Sequence, residues 1–181
     1  MKWMIASDLH GSALYGKAIL DAFDREGADR LLLLGDILNH GPRNGLSEGY
    51  DPMALAAMLN DRSADILCVR GNCDSEVDQM ILHFPMMADY ALLPVGKRLI
   101  FATHGHIYNT QNLPPLHKGD ILLHGHTHLM KCEPCGDVLY CNPGSPTFPH
   151  DGFRGYMTLE NETLYWKRLD GTVEKSLPLN D

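Results

Sequence analysis

The chain has 181 residues, 44% of them hydrophobic and 21% charged, which is enough apolar material for one core and too much for wholesale disorder. Its apolar runs, such as 31–34, span only a few residues, against the ~20 that a membrane span needs, and Asp8 and His10 interrupt any signal-like stretch behind Lys2. A formal net charge of −8 disfavours long nucleic acids as partners, and an odd count of five cysteines points to free thiols in a reducing, cytoplasmic compartment.

Residues 2–6 read as a strand that exits at Ser7-Asp8. Ser12 is suited to cap a helix running to about Gly27, because Leu14, Tyr15, Ala18, Ile19, Ala22 and Phe23 form one stripe at helical spacing and Gly27 supplies the stop. A second strand, 31–34, ends in Gly35-Asp36. The loop that follows, 39–50, is punctuated by Gly41-Pro42 and Asn44-Gly45, and loops of that length often carry function. Asp51 caps a further helix with Pro52 in its first position. A third strand, 66–70, runs into Gly71-Asn72-Cys73-Asp74. Strand and helix alternate here in the manner of a parallel sheet.

The second half reads as mostly antiparallel. Strands 90–95 and 98–103 flank Gly96-Lys97, and 121–123 is a short buried strand. Strands 130–132 and 138–141 bracket a turn around Pro134 and Gly136-Asp137, and 156–160, 163–168 and 172–176 form a meander. The expectation is a single α/β domain, 1–181, built from two packed sheets. An exposed sheet edge in the meander would allow self-association into a homo-oligomer.

Polar residues gather where the strands end. Asp8-Leu9-His10, Gly35-Asp36, Gly71-Asn72, His104-Gly105-His106 and His124-Gly125-His126-Thr127-His128 each follow a predicted strand. Any one of these is ordinary: an Asp-x-His pair arises by chance and a Gly-Asp is commonly a plain turn. Five at successive exits are a different matter, because ligands of α/β sheets bind at the carboxyl ends of strands. The residue types suit a pair of metal ions. Imidazole and the Asn carbonyl oxygen bind divalent ions without adding charge, and a carboxylate can bridge two ions. Two dications with Asp8, Asp36 and one hydroxide leave a local charge of about +1, which draws phosphate despite the acidic chain. Ions ~3.5–4 Å apart would acidify a shared water and hold both in-line oxygens of a displacement.

Together these segments resemble the calcineurin-like metallophosphoesterases, over most of the chain from Lys2 to Ser145. Residues 35–44 and Gly71-Asn72-Cys73-Asp74 look like the small single-domain bacterial and archaeal phosphodiesterases of that superfamily. The resemblance implies two mixed β-sheets packed as a sandwich flanked by helices. It also implies hydrolysis of small phosphodiesters by in-line attack of a metal-bridging hydroxide. Asp8, His10, Asp36 and His128 would hold one ion, and Asp36, Asn72, His104 and His126 the other. Manganese is the usual ion in such relatives, with iron, zinc, nickel and cobalt as alternatives. Other uses of the fold are a phosphomonoesterase or nucleotide phosphatase on the same site, and a non-catalytic scaffold such as a eukaryotic retromer subunit.

One departure stands out: the broader superfamily has His, an acid and charge stabiliser, where this chain has Cys73. A neutral thiol is a weaker acid without positive charge, so Cys73 either assists catalysis weakly or only fills space behind the ions. His106, two residues past a ligand position, could serve as acid, as support or only as a neighbour. His124 suits a structural role. His40 and Arg43, on the loop after the second strand, are placed to contact substrate phosphate. Cys132 and Cys135 lack the partners of a structural zinc site.

Overall fold

The computed structural model describes residues 1–180. Three short apolar segments, β1 (Trp3–Ala6), β2 (Arg30–Leu33) and β3 (Ile66–Cys68), pair in parallel. Helices α1 (Ala13–Glu26) and α2 (Pro52–Asn60) provide the crossovers. Ser12 accepts a hydrogen bond from the Tyr15 N–H at the start of α1, and Gly27 closes it in the left-handed region (φ 57°). Asp51 accepts from the Ala54 N–H at the start of α2.

A third helix, α3 (Glu76–Ile81), was not foreshadowed by the sequence pattern. It is one and a half turns long, buries no residue fully, and is set by a capping box between Ser75 and Asp78. Val77, Met80 and Ile81 are spaced as on one helix face, but six residues are too short a run for periodicity to single out a helix.

The remaining strands are β4 (Tyr90–Val95), β5 (Arg98–Thr103), β6 (Ile121–His124), β7 (Met130–Cys135), β8 (Val138–Pro143), β9 (Gly155–Glu160), β10 (Thr163–Arg168) and β11 (Val173–Pro178). They complete two mixed sheets, ordered β11-β10-β9-β1-β2-β3 and β4-β5-β6-β8-β7. The first is parallel across β1, β2 and β3 and antiparallel across β9, β10 and β11. The second is parallel across β5, β6 and β8 with antiparallel edges β4 and β7.

Alternation along the central strands explains the layering. Met4, Ala6, Leu31 and Leu33 face a core shared with Ile19 and Phe23 of α1 and Leu55 and Leu59 of α2. Ile5, Leu32 and Leu34, with Trp166 of β10, face the second sheet, against Ile100, Ile121 and Leu123. Both faces of the parallel strands are therefore buried, as their continuous apolar runs require. The helices contribute to the first core and so flank the sandwich on the outer side of the first sheet, as expected.

Several strand limits differ from the sequence reading, two of them for a clear local reason. The third strand stops at Cys68 because the Arg70 N–H turns to the Ala88 carbonyl. β7 extends through Pro134, which an edge strand tolerates because its missing N–H leaves no ladder bond broken. The turn is therefore confined to Gly136-Asp137. Cys132 and Cys135 lie three apart on this strand, on opposite faces, and Cys132 is paired across the ladder with Cys141.

Candidate active site

Seven side chains converge where both sheets end. Asp8 and His10 follow β1, Asp36 follows β2, and Asn72 follows β3; His104 follows β5, and His126 and His128 follow β6. The first sheet thus supplies four groups and the second three. The backbone at this rim is unusual. Asp8, His10, Asp36, His126 and His128 all have positive φ, between 46° and 65°, a region that costs a residue with a Cβ about 1–2 kcal/mol.

Hydrogen bonds fix which atoms face the centre. The Nδ1 atoms of His10, His104 and His128 lie 2.9, 2.7 and 3.1 Å from the carbonyl oxygens of Asn39, Leu34 and Phe148. Each neutral ring therefore carries its proton on Nδ1 and presents a lone pair on Nε2. The Nε2 atoms of His10 and His128 are 3.1 Å apart, a contact of two lone pairs that a shared cation would relieve. On the far side, His104 Nε2 is 3.1 Å from Asn72 Oδ1 and 3.2 Å from His126 Nδ1.

The two aspartates lie between these groups. Asp36 Oδ1 accepts the Cys73 N–H at 2.8 Å, which leaves Oδ2 3.7 Å from His10 Nε2 and 3.4 Å from His104 Nε2. Oδ2 thus faces imidazoles on both sides while Oδ1 is held by the backbone. Asp8 Oδ2 accepts from Ser7 Oγ and from the His126 N–H. Asp8 Oδ1 is buried with no hydrogen-bond partner and sits 3.3 Å from His128 Nε2 and 3.6 Å from His10 Nε2. An orphaned carboxylate oxygen facing two imidazole lone pairs fits a divalent cation. Asp8, His10 and His128 form one such group of potential ligands, and Asp8, Asp36 and His104 form another.

The electrostatics point the same way. Burial opposes charge on Asp8, but His104, His10 and His128 outweigh it and hold the carboxyl well below its ordinary range. Burial likewise opposes charge on His104, yet Asp8 and Asp36 raise it to about 9. Without a cation, a proton on His104 balances the two carboxylates; a metal ion would displace it.

Asp74, which the sequence reading quoted without a role, takes the N–H groups of Asp36 (2.8 Å), Ile37 (2.9 Å) and Gly71 (2.7 Å). It ties the ends of β2 and β3 together and fixes the backbone that carries Asp36. Burial pushes its carboxyl up to about 6, aided by the charge of Asp36.

A cavity of about 470 Å³ opens over the cluster, lined in part by Asp36, Arg43, Asn72, Cys73, His128 and His150. Arg43 therefore stands at the opening. Cys73 also faces it, its thiol raised to about 12 by burial and then by Asp36, and so neutral. His40 does not line this cavity; its ring packs edge-on to Tyr50 at 5.5 Å. His106 lies behind the cluster, 5.4 Å ring to ring from His104, and burial lowers it to about 4. The ring of His124 stacks on Tyr140 at 4.4 Å. His150 was missed from sequence: its Nδ1 lies 3.0 Å from the Thr127 carbonyl and its ring 4.9 Å from that of His128. It is isolated on the 143–154 loop, outside any strand-exit pair.

The geometry agrees with comparison to known proteins. The family description "calcineurin-like phosphoesterase superfamily domain" matches residues 1–164. The chain belongs to this superfamily. Phosphodiesterase YfcE of Escherichia coli K12 is 47% identical over 165 residues, which covers 91% of this chain and 90% of YfcE. A solved structure of YfcE, described as a phosphoesterase from E. coli, matches with a TM-score of 0.94 at 44% identity, covering 99% of this chain and all of that one. An archaeal phosphodiesterase shares the fold at a TM-score of 0.63 and 20% identity, covering 98% of this chain and 99% of that chain. Membership in the metallophosphoesterases, with the ligand groups above, implies divalent metal at this site. No helix among the described residues is long and apolar enough to cross a membrane.

Proposed function

We propose that this chain is a dimetal phosphodiesterase that cleaves small diesters. Asp8, His10, Asp36 and His128 would hold one ion and Asp36, Asn72, His104 and His126 the other, with manganese as the working ion. The supporting observation is the position of Asp36 Oδ2, within 3.7 Å of imidazole nitrogens on both sides, next to the orphaned Asp8 Oδ1. The likeness to YfcE, a named phosphodiesterase, supports a diester as the substrate. We further take the protein to act as one domain in the cytoplasm, without long nucleic acid as a partner.

When bound, divalent ions at these residues would acidify water and offset negative charge at phosphorus. The chain's own residues do the rest. Asp74 holds Asp36 in place, the carbonyls behind His10, His104 and His128 fix their tautomers, and Arg43 holds a phosphate oxygen at the cavity opening. Cys73 stays a neutral thiol, so departure of the alcohol receives little help, and activated diesters should be favoured.

The test is hydrolysis of bis-p-nitrophenyl phosphate by protein stripped with EDTA and reloaded with Mn²⁺. Activity should return with the metal and fall about 100-fold or more in Asp36→Asn. Equal rates with EDTA and with Mn²⁺ would overturn the assignment. A folded, metal-binding protein that cleaves nothing would support the scaffold, and a preference for p-nitrophenyl phosphate would support a monoesterase. Cys73→His should raise diesterase turnover by supplying the missing acid; an unchanged or lower rate would make Cys73 a packing residue.

A further inference from the structure

A second cavity, of about 400 Å³, adjoins the first, and Arg43, Asn44 and His150 line both. Its far side is formed by Phe148 and Arg154. Arg43 and Arg154 thus stand at one continuous opening, and neither has a carboxylate within 4.0 Å among the described residues. Two unpaired guanidinium groups around one cavity are unexpected in a chain with a net charge of −8.

Arg154 is held in place. Its Nη1 donates to the carbonyls of Pro146 and Thr147, and the guanidinium lies over the ring of Tyr15, 4.6 Å from its centroid. Two of the five N–H donors are used, and the Nε and Nη2 edge has no protein partner. That edge is the fork that binds a phosphate through two parallel hydrogen bonds. A guanidinium fixed by its other nitrogen and its face loses little freedom when an anion docks.

We propose that this adjoining cavity is a subsite for the substrate's second arm, and that Arg154, with Arg43, selects diesters whose second arm ends in a phosphate. The proposal rests on the diesterase reading above. It deepens that reading by naming the substrate class: phosphate diesters that carry a further phosphomonoester, rather than neutral or cationic diesters. Phe148 offers an apolar wall for the linking portion, and His150 lies at the junction between the two cavities.

The experiment compares kcat/KM of the Mn²⁺-loaded protein on p-nitrophenyl phosphodiesters that differ only in the second arm: choline, ethyl, and a glycerol bearing a terminal phosphate. Wild type should prefer the phosphorylated arm to the ethyl arm by about 10-fold or more, with choline poorest. Arg154→Met should abolish that preference and leave the ethyl diester within about threefold of wild type, whereas Arg154→Lys should restore part of it.

Equal losses of all three substrates would overturn the proposal, since Arg154 would then act only through the loop carbonyls and Tyr15. No preference in wild type would overturn it as well, while leaving the diesterase assignment intact. If no diester is cleaved, the diesterase reading fails by itself. The subsite is then read by equilibrium dialysis of inorganic pyrophosphate against the full chain in EDTA. Binding lost in Arg154→Met supports the subsite, and binding absent from wild type or unchanged in the variant overturns it.

Discussion

Five of the seven residues proposed as metal ligands adopt left-handed backbone, and only Asn161 and Glu162 do so among the other described non-glycine residues. Strain of this kind collects where the surrounding structure dictates a side-chain direction, and each such residue costs of order 1 kcal/mol or more. The cost is measurable at His126, which is only half-buried and whose N–H would still reach Asp8 in a truncated variant. His126→Gly should be more stable than His126→Ala by about 1 kcal/mol in thermal unfolding of the metal-free protein, the reverse of the order expected in ordinary helix or strand. The sequence showed which residue types stand at the rim, because Asp, Asn and His in small-residue settings are visible without coordinates. It did not show their backbone conformation, nor that Asp74 ties three N–H groups, since an Asp after a strand looks the same whether it caps, ligates or faces water.

At the level of elements, the ends of β2 and β3 approach so closely that side chains are excluded. A Cβ on Gly71 would lie 2.1 Å from Asp36 Oδ1 and 2.3 Å from the Asp36 nitrogen, and one on Gly35 would lie 2.4 Å from the Gly71 nitrogen. Gly71→Ala should therefore push Asp36 aside and weaken Mn²⁺ binding by about 10-fold or more, read as a rightward shift in the metal titration of diesterase activity. An unchanged titration would mean that Asp36 tolerates displacement. The parallel strands, the helices α1 and α2 and most hairpins were legible, because their apolar periodicity and turn residues are local signals. The short α3 was not, because six residues are too few for their spacing to register, and the extension of β7 through Pro134 was not, because edge position is decided by tertiary pairing.

Over the whole molecule, a polar tie joins distant segments. Glu26 at the end of α1 accepts from Lys2 and Lys167, each at 2.7 Å, and from the Tyr156 hydroxyl at 2.8 Å. Burial works against its charge, but Lys167, Lys2 and Tyr156 together hold the carboxyl at about 2, against an ordinary value of 4.5. Because the folded value is the lower one, the stabilisation is complete above about 4.5 and is lost as pH falls towards 2. Glu26→Gln should lower stability by about 1–3 kcal/mol at pH 7, and the difference from wild type should shrink as pH falls from 4.5 to 2, as read from urea midpoints across that range. A constant difference down to pH 2 would show that packing, not charge, joins these segments. The division of the seven rim residues between the sheets, four from one and three from the other, has a mechanical consequence. Cations seated there would rivet the two leaves of the sandwich at one end, so that any sliding of one leaf against the other would pull the coordination apart, and holding metal and holding shape would become a single property.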